Sequence, residues 1–351
     1  MVHAEMAEFG HEQVTHFADE ATGLRAIVAI HDTTLGPGLG GTRLLPYETG
    51  DEALYDVLRL SNAMTYKAAA ADLDLGGGKA VIVADPGEKT PELMAAYGRM
   101  VDRLGGRYIT SVDINTGVDD MDVITGETDH VVGTSDGLGD PSPVTSRGVF
   151  AGLRACVEHT YGTDDLSDRT VVIQGVGKVG RGLAELLVDH GATVKVSDVD
   201  TEAVHELAAE NDLGIVAPDD VYAESCDVFA PCAVGGVIND ETISQLECDV
   251  VAGGANNVLE RREHAAALHD RDILYAPDYV INAGGLITVA MEHEGETMEK
   301  ALEQAEAIGD RMLEMIERAE DEGTTVLDAA DAYAEERISG VSDGVAVSTS
   351  D

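Results

Sequence analysis

Between Thr170 and Leu187 the chain reads TVVIQGVGKVGRGLAELL, and no other stretch of its 351 residues restricts the fold as tightly. A β-branched run ends in Gly175-x-Gly177-x-x-Gly180, and a helical pattern begins at once. Gly175 permits a tight turn, Gly177 lets backbone approach a pyrophosphate, and Gly180 lets the helix pack on its strand. The free N–H groups at the helix start attract phosphate. A second β-run, TVKVSD, closes on Asp198, about 20 residues after the first glycine, the spacing such sites use. A carboxylate there accepts from ribose hydroxyls and repels a 2′-phosphate, which favours NAD over NADP. Gln174, Val176, Lys178, Val179 and Val199 complete this candidate dinucleotide site. The runs DVFAPC, DVVAGG and ILYAPDYV alternate with helical stretches, which implies a parallel sheet with right-handed crossovers.

Upstream, residues 24–30 (LRAIVAI) read as a strand, and 35–42 (LGPGLGGT) as a glycine-rich loop able to bring backbone close to a ligand. Residues 51–70 are helical, with Leu54, Val57, Leu58 and Met64 on one face. GGGK then precedes the strand AVIVAD, a helix over 90–104 starts at the cap signal TPE, and RYITSVDIN is a strand ending in a polar turn. Pro141 and Pro143 mark a boundary before a helix at 145–160. Residues 294–335 form one or two long helices, and the end of the chain reads as flexible.

Sixty-seven acidic residues oppose 22 basic ones, a net charge of −45, and the acids are spread along the chain. Such a surface repels phosphate backbones, which argues against nucleic acid and anionic membranes as partners. Together with 4% aromatics and scarce lysine, it suits a high-salt cytoplasm, where molar salt shortens the Debye length to about 3 Å. No run reaches the roughly 18 apolar residues of a membrane span. The first twelve residues carry Glu5, Glu8 and Glu12 and no Lys or Arg, unlike a secretory leader. Cys156, Cys226, Cys232 and Cys248 form no CxxC pair, so neither a disulfide framework nor a metal centre is expected, and the compartment reads as cytoplasmic.

Where lysine is avoided, each one present carries more information. There are six, and two of them, Lys67 in MTYKAAAA and Lys79 in LGGGKAVIV, have apolar neighbours. A buried lysine needs a partner or a lowered pKa. The intervening DLDLGGG can bring both ammonium groups to one place, where one holds a substrate carboxylate and the other works as a base. Asp113 is a candidate proton partner, and otherwise a turn-capping aspartate. Asn282 in YVINAGG, read as following a strand, can orient an amine or nicotinamide, or form an Asx turn.

The segments HDTTLGPGLGGTR, MTYKAAAADLDLGGGKAVI, SPVTSRGV, QGVGKVG, FAPCAVGGVIN, GGANN and APDYVINAGG together resemble the glutamate/leucine/phenylalanine/valine dehydrogenase superfamily, most closely its leucine/valine/phenylalanine branch, over residues 24–338. SVDINTG departs from the branch's usual stretch around its aspartate. The resemblance implies an α/β fold of two domains. An N-terminal α/β domain with a mixed sheet (1–138, with a C-terminal helix at about 325–340 packing back) binds substrate and mediates oligomerisation. A Rossmann doubly wound NAD-binding domain spans 139–324, a cleft lies between the two, and 341–351 is a flexible tail.

The resemblance also implies oxidative deamination of an L-amino acid to a 2-oxo acid and ammonium. Lys67 with the backbone of Gly40 and Gly41 would hold the substrate carboxylate, Lys79 would be the catalytic lysine, and Asp113 would share the proton transfer. Asn282 would lie near substrate and nicotinamide, and Thr145, Cys232, Ala233, Ala255, Asn256 and Asn257 would line the cofactor site. Leu39, Ser111, Leu286 and Val289 would form an apolar pocket. Glutamate dehydrogenases carry a lysine where this chain has Leu39, and an apolar side chain cannot compensate the desolvation of a second carboxylate. Leucine, valine or isoleucine is therefore favoured. Phenylalanine or glutamate is the alternative within the class, a non-catalytic NAD-binding relative the alternative outside it. Family members are homo-oligomers, often octamers.

Overall fold

The computed structural model describes residues 2–344. The chain forms two α/β units. One comprises residues up to Gly139, Val289–Thr297 and residues from Ala334; the other comprises Asp140–Thr288 and Met298–Tyr333.

The first unit opens with α1 (Val2–Phe9), β1 (Gln13–Asp19), β2 (Leu24–Asp32) and β3 (Gly38–Leu45). α2 (Gly50–Ala70), β4 (Gly76–Val83), α3 (Pro91–Asp102), β5 (Tyr108–Val112) and α4 (Val118–Thr125) follow. The sheet order is β1-β2-β4-β3-β5. β2 runs antiparallel to β1 and β4, while β3 is parallel to β4 and β5, so the sheet is mixed. Alternate residues of β2 feed two cores: Leu24, Val28 and Ile30 meet Met94 and Tyr97 of α3, whereas Ile27 and Ala29 meet Leu54, Val57 and Leu58 of α2. Thr49 and Thr90 cap α2 and α3, accepting from the Glu52 and Leu93 N–H groups.

Of the glycine-rich segment at 35–42, only 35–37 is loop. Gly38–Leu45 is an inner strand, and Gly76–Gly78, also read as a connection, opens β4. Glycine disfavours strands in isolation, but packing against neighbours overrides that preference. A Cβ on Gly40 would stand 1.8 Å from the Gly78 carbonyl oxygen, and one on Gly78 would stand 2.6 Å from the Tyr108 ring. The two strands approach only because neither carries side chains there.

The second unit contains α5 (Ser142–Tyr161), β6 (Thr170–Gln174), α6 (Lys178–Asp189), β7 (Thr193–Ser197), α7 (Thr201–Asn211), β8 (Gly214–Ile215) and β9 (Val228–Pro231). Next come β10 (Val250–Val251), α8 (His264–His269), β11 (Leu274–Tyr275), α9 (Asp278–Ile281) and α10 (Gly284–Glu294), which belongs to this unit as far as Thr288 and to the first from Val289. Its parallel sheet has the order β11-β10-β9-β6-β7-β8, the Rossmann arrangement, with strand order reversing beside β6. α11 (Met298–Glu306), α12 (Ile308–Glu322) and α13 (Val326–Gly344) are three helices where one or two were expected. Gly323, in the left-handed conformation, ends α12. α13 continues through Gly344, so the first residues of the expected tail are helical; 345–351 lie outside the described residues. No helix among the described residues is long and apolar enough to cross a membrane.

Candidate functional site

Register explains how the first unit gathers its reactive groups. In-register neighbours and residues two apart on a strand share a face. The ladder between β3 and β4 pairs Leu39 with Gly77 and Thr42 with Ala80, which sets Gly41 beside Lys79. Gly41 pairs with Ser111 on its other side, and Thr42 with Val112, so Arg43 lies beside Asp113 just past the end of β5. One face therefore shows three rows: Gly77–Leu39–Ile109, Lys79–Gly41–Ser111 and Val81–Arg43–Asp113. α2 covers this face, since Val81 packs with Leu54 and Val57, and a Cβ on Gly77 would collide with Thr65.

Lys79 and Asp113 come from strands on opposite sides of β3, yet Lys79 Nζ reaches Asp113 Oδ2 at 2.6 Å. The bare Gly41 makes that crossing possible. A Cβ there would stand 2.8 Å from the Asp113 Cβ and 2.4 Å from the Val112 carbonyl oxygen. Lys79 is buried, at 7% exposure. Burial lowers its ammonium below the usual range, Asp113 pulls the other way, and Arg43 adds to the lowering. Burial alone would raise the Asp113 carboxyl, but Lys79 and then Arg43 outweigh it and hold Asp113 below the ordinary carboxylate value. The departure SVDINTG forms a tight turn: Asn115 adopts a φ of 60°, and Thr116 accepts from the Asp113 N–H and donates to the Thr42 carbonyl. It fixes the backbone that aims Asp113.

Lys67 sits half-buried on the last turn of α2. Leu39 and Ser111 are buried on the Lys79 face, and Val289, of this unit, is partly buried in α10. Two networks escaped the sequence reading. His31 bonds Thr65 Oγ1 at 2.8 Å and the Phe9 carbonyl at 2.9 Å, while His11 bonds Ser61 Oγ at 2.7 Å, tying β2 and the N-terminal segment to α2. Arg43 bridges Asp113 and Asp56. The available signal was an arginine flanked by glycines and apolar residues in GLGGTRLL, which the scarcity argument applied to the lysines did not reach.

In the second unit the glycines take the positions expected of a dinucleotide site. Gly175 has φ 106°, and a Cβ there would stand 2.6 Å from the Ala233 nitrogen. A Cβ on Gly180 would stand 2.0 Å from the Gly175 carbonyl oxygen. Around the Cβ position of Gly177 lies open space, and Gly177 caps α6 without a side-chain bond, which leaves room and donors for a phosphate. Asp198 Oδ2 accepts from the Val176 N–H at 2.8 Å, so this carboxylate shapes the loop. Val199 is 87% exposed, and Lys178 pairs with Asp140 at 2.8 Å. Cys232 donates its N–H to the Gln174 carbonyl and accepts at Sγ from the Gly254 N–H, with Ala233 following it; Val179 is part-exposed on α6.

Asn282 does not follow a strand; it caps α9. Its Nδ2 donates to Asn256 Oδ1 at 2.8 Å and to the Ala255 carbonyl at 3.2 Å, so the structure joins NAGG to GGANN, with Asn257 next in a left-handed conformation. Thr145 lies on α5 against Gly284, whose Cβ position is 2.4 Å from the Thr145 Cα, and Leu286 is buried in the first turn of α10.

Comparison with known proteins shows the family. The family model described as the Glu/Leu/Phe/Val dehydrogenase dimerisation domain matches residues 11–130. The model for glutamate/leucine/phenylalanine/valine dehydrogenase matches residues 137–206 and 195–343. The chain is 47% identical over 337 residues to leucine dehydrogenase of Bacillus subtilis (strain 168), covering 95% of this chain and 93% of that protein. It is also 47% identical over 337 residues to phenylalanine dehydrogenase of Caldalkalibacillus thermarum (strain TA2.A1), covering 93% and 91%. The crystal structure of L-tryptophan dehydrogenase from Nostoc punctiforme superposes with a TM-score of 0.91 at 45% identity, covering 98% of this chain and all of that one. Family and Rossmann-like sheet together imply a nicotinamide cofactor. The chain belongs to the glutamate/leucine/phenylalanine/valine dehydrogenase family and is an amino-acid dehydrogenase.

Proposed function

We propose that this enzyme uses NAD to deaminate a branched-chain L-amino acid oxidatively and reversibly, giving the 2-oxo acid and ammonium. The observation that carries the reading is the buried Lys79–Asp113 pair beside Gly41, in a row next to Leu39. The Lys67 ammonium and the Gly40 and Gly41 backbone hold the substrate carboxylate. Lys79, its ammonium lowered by burial, takes a proton from the amine or from the attacking water, and the Asp113 carboxylate beside it holds the substrate amine and assists that transfer while staying ionised. When bound, nicotinamide supplies the hydride acceptor. Gly175, Gly177 and Gly180 let backbone meet its pyrophosphate, Asp198 takes the ribose hydroxyls, and Asn282 with Asn256 sets the nearby amides.

Leu39, 1% exposed, with Ser111 in the next row, stands for an apolar side-chain pocket on the Lys79 face. An apolar pocket separates side chains by only about 1–3 kcal/mol per methylene. Relatives of nearly equal identity are named leucine, tryptophan and phenylalanine dehydrogenases, so a substrate panel is the decisive experiment. Leucine, valine and isoleucine should give the highest kcat/KM with NAD, followed by reduced-nicotinamide absorbance. A best rate with glutamate or an aromatic amino acid refutes the assignment. Run at low and molar KCl, the same assay tests the high-salt reading of the −45 charge: activity and melting temperature should rise with salt. Sedimentation tests the homo-oligomer, an octamer by family resemblance.

A further inference from the structure

Asp113 Oδ2 is shared. Lys79 Nζ lies 2.6 Å from it and Arg43 Nε 3.3 Å. The other end of the Arg43 guanidinium, Nη1, is 2.9 Å from Asp56 Oδ2. Asp56 is itself secured, because the Tyr47 hydroxyl donates to the same oxygen at 2.7 Å and Arg59 Nη2 reaches Oδ1 at 3.2 Å. The result is a row of alternating charge, Lys79–Asp113–Arg43–Asp56, whose last three side chains are 16–18% exposed.

A lone lysine–aspartate pair has a weakness as proton machinery. The carboxylate stabilises the ammonium it should help to discharge, and once that charge is gone the carboxylate is buried without a cation. A guanidinium does not lose its proton at any working pH, and its fork holds two carboxylates in fixed directions. We infer that Arg43, anchored by Asp56, is a positioning residue: it fixes the Asp113 carboxylate and keeps it charged while Lys79 gives up and regains its proton. Arg43 touches neither substrate nor reacting atoms in this role. The inference deepens the proposed function, since it rests on Lys79 acting as the base.

Asp113, Arg43 and Asp56 act on Lys79 directly; Tyr47 and Arg59 bond Asp56, and His31 of β2, which bonds Thr65 of α2, and Lys67 on the last turn of α2 are the other titratable groups of the elements that pack on this face. Removing Arg43 takes away the cation that opposes protonation of Lys79 and holds Asp113 ionised. Both groups then bind protons more readily, and Lys79 discharges at higher pH.

The test uses the full-length Arg43→Gln, Arg43→Lys and Asp56→Asn variants. Amine-directed labelling of Lys79, resolved by peptide mass spectrometry across pH, reports its free-base fraction without any turnover. In Arg43→Gln the labelling rate near pH 8 should fall at least about threefold, and the rising limb of kcat/KM should move to higher pH in step. Cofactor affinity should stay unchanged. Arg43→Lys should restore most of the labelling profile, and Asp56→Asn should shift it the same way by less. Unchanged labelling and unchanged pH limbs in Arg43→Gln, with Lys79→Ala inactive, overturn the inference and leave the proposed function standing. A shifted labelling profile in an enzyme that turns over no amino acid supports the arrangement and refutes the proposed function. If Arg43→Gln does not fold, Arg43→Lys and Asp56→Asn decide: a profile unmoved in both is evidence against the inference.

Discussion

The two units use glycine for opposite ends. In the mixed sheet, Gly40, Gly41, Gly77 and Gly78 sit inside paired strands, where any side chain would strike backbone or a neighbour. Their gain is proximity: with nothing standing on Gly41, a lysine on one strand meets an aspartate beyond the next-but-one. In the parallel sheet the glycines sit at a strand's end. Gly175 turns the chain with positive φ, and Gly177 leaves open space before α6. Their gain is exposure of N–H groups. A residue with no side chain can thus close a gap between two groups of the protein or hold one open for a ligand, and its neighbours decide which.

The largest expected effect breaks the first unit's chemistry alone. Lys79→Ala should lower kcat by at least about 10²-fold, while fluorescence titration shows the cofactor still binding. Normal turnover would remove Lys79 from the reaction. Next, Gly41→Ala puts a methyl where the Asp113 Cβ and the Val112 carbonyl already are. Activity should fall about 30-fold and stability by about 1–3 kcal/mol, read by kinetics and denaturant melts; Gly177→Ala, facing open space, should leave stability within about 1 kcal/mol while weakening the cofactor. Equal stability losses at the two sites would contradict the comparison.

A smaller effect concerns the second unit. If Asp198 accepts the ribose hydroxyls as proposed, Asp198→Ala should weaken NAD about tenfold and narrow any advantage over NADP, since it also removes the bond that shapes the Val176 turn. An unchanged preference would place the ribose reader elsewhere.

The smallest separates the units by acid. Burial, aided by His31, lowers His11 from 6.5 to about 4, and burial also lowers His31. His11 is therefore neutral in the folded protein down to about pH 4, and the unfolded chain takes up its proton first; its contribution is complete above pH 6.5 and is lost as pH falls toward 4, at about 1 kcal/mol or more, and His31 acts in the same direction. Hydrogen exchange should show β1 and β2 opening sooner at pH 5 than at pH 7.5, with β6 and β9 less affected. His11→Gln should flatten that dependence; an unaltered one would assign the acid response to other groups.

Much of this was legible because it is local. The Gly175 loop and its following helix are specified within a dozen residues, and Lys79 and Asp113 stood out by type and neighbours. What misled the reading was local too. Gly38–Leu45 has the composition of a loop, and only its partners β4 and β5 make it a strand. DYVI has the β-branched look of a strand end, yet it is the helix that carries Asn282.

The amino-acid sequence by itself determined the two α/β units, the glycine turn before α6 and the candidate reactive groups, since these follow from short-range periodicity and chemistry. Tertiary structure alone decided that Lys79 reaches Asp113 across Gly41, that Arg43 and Asp56 stand behind them, and that Asn282 bonds Asn256. Each depends on strand register or on helix packing between residues far apart in the chain, and register is set by the burial of whole faces rather than by the residues that meet.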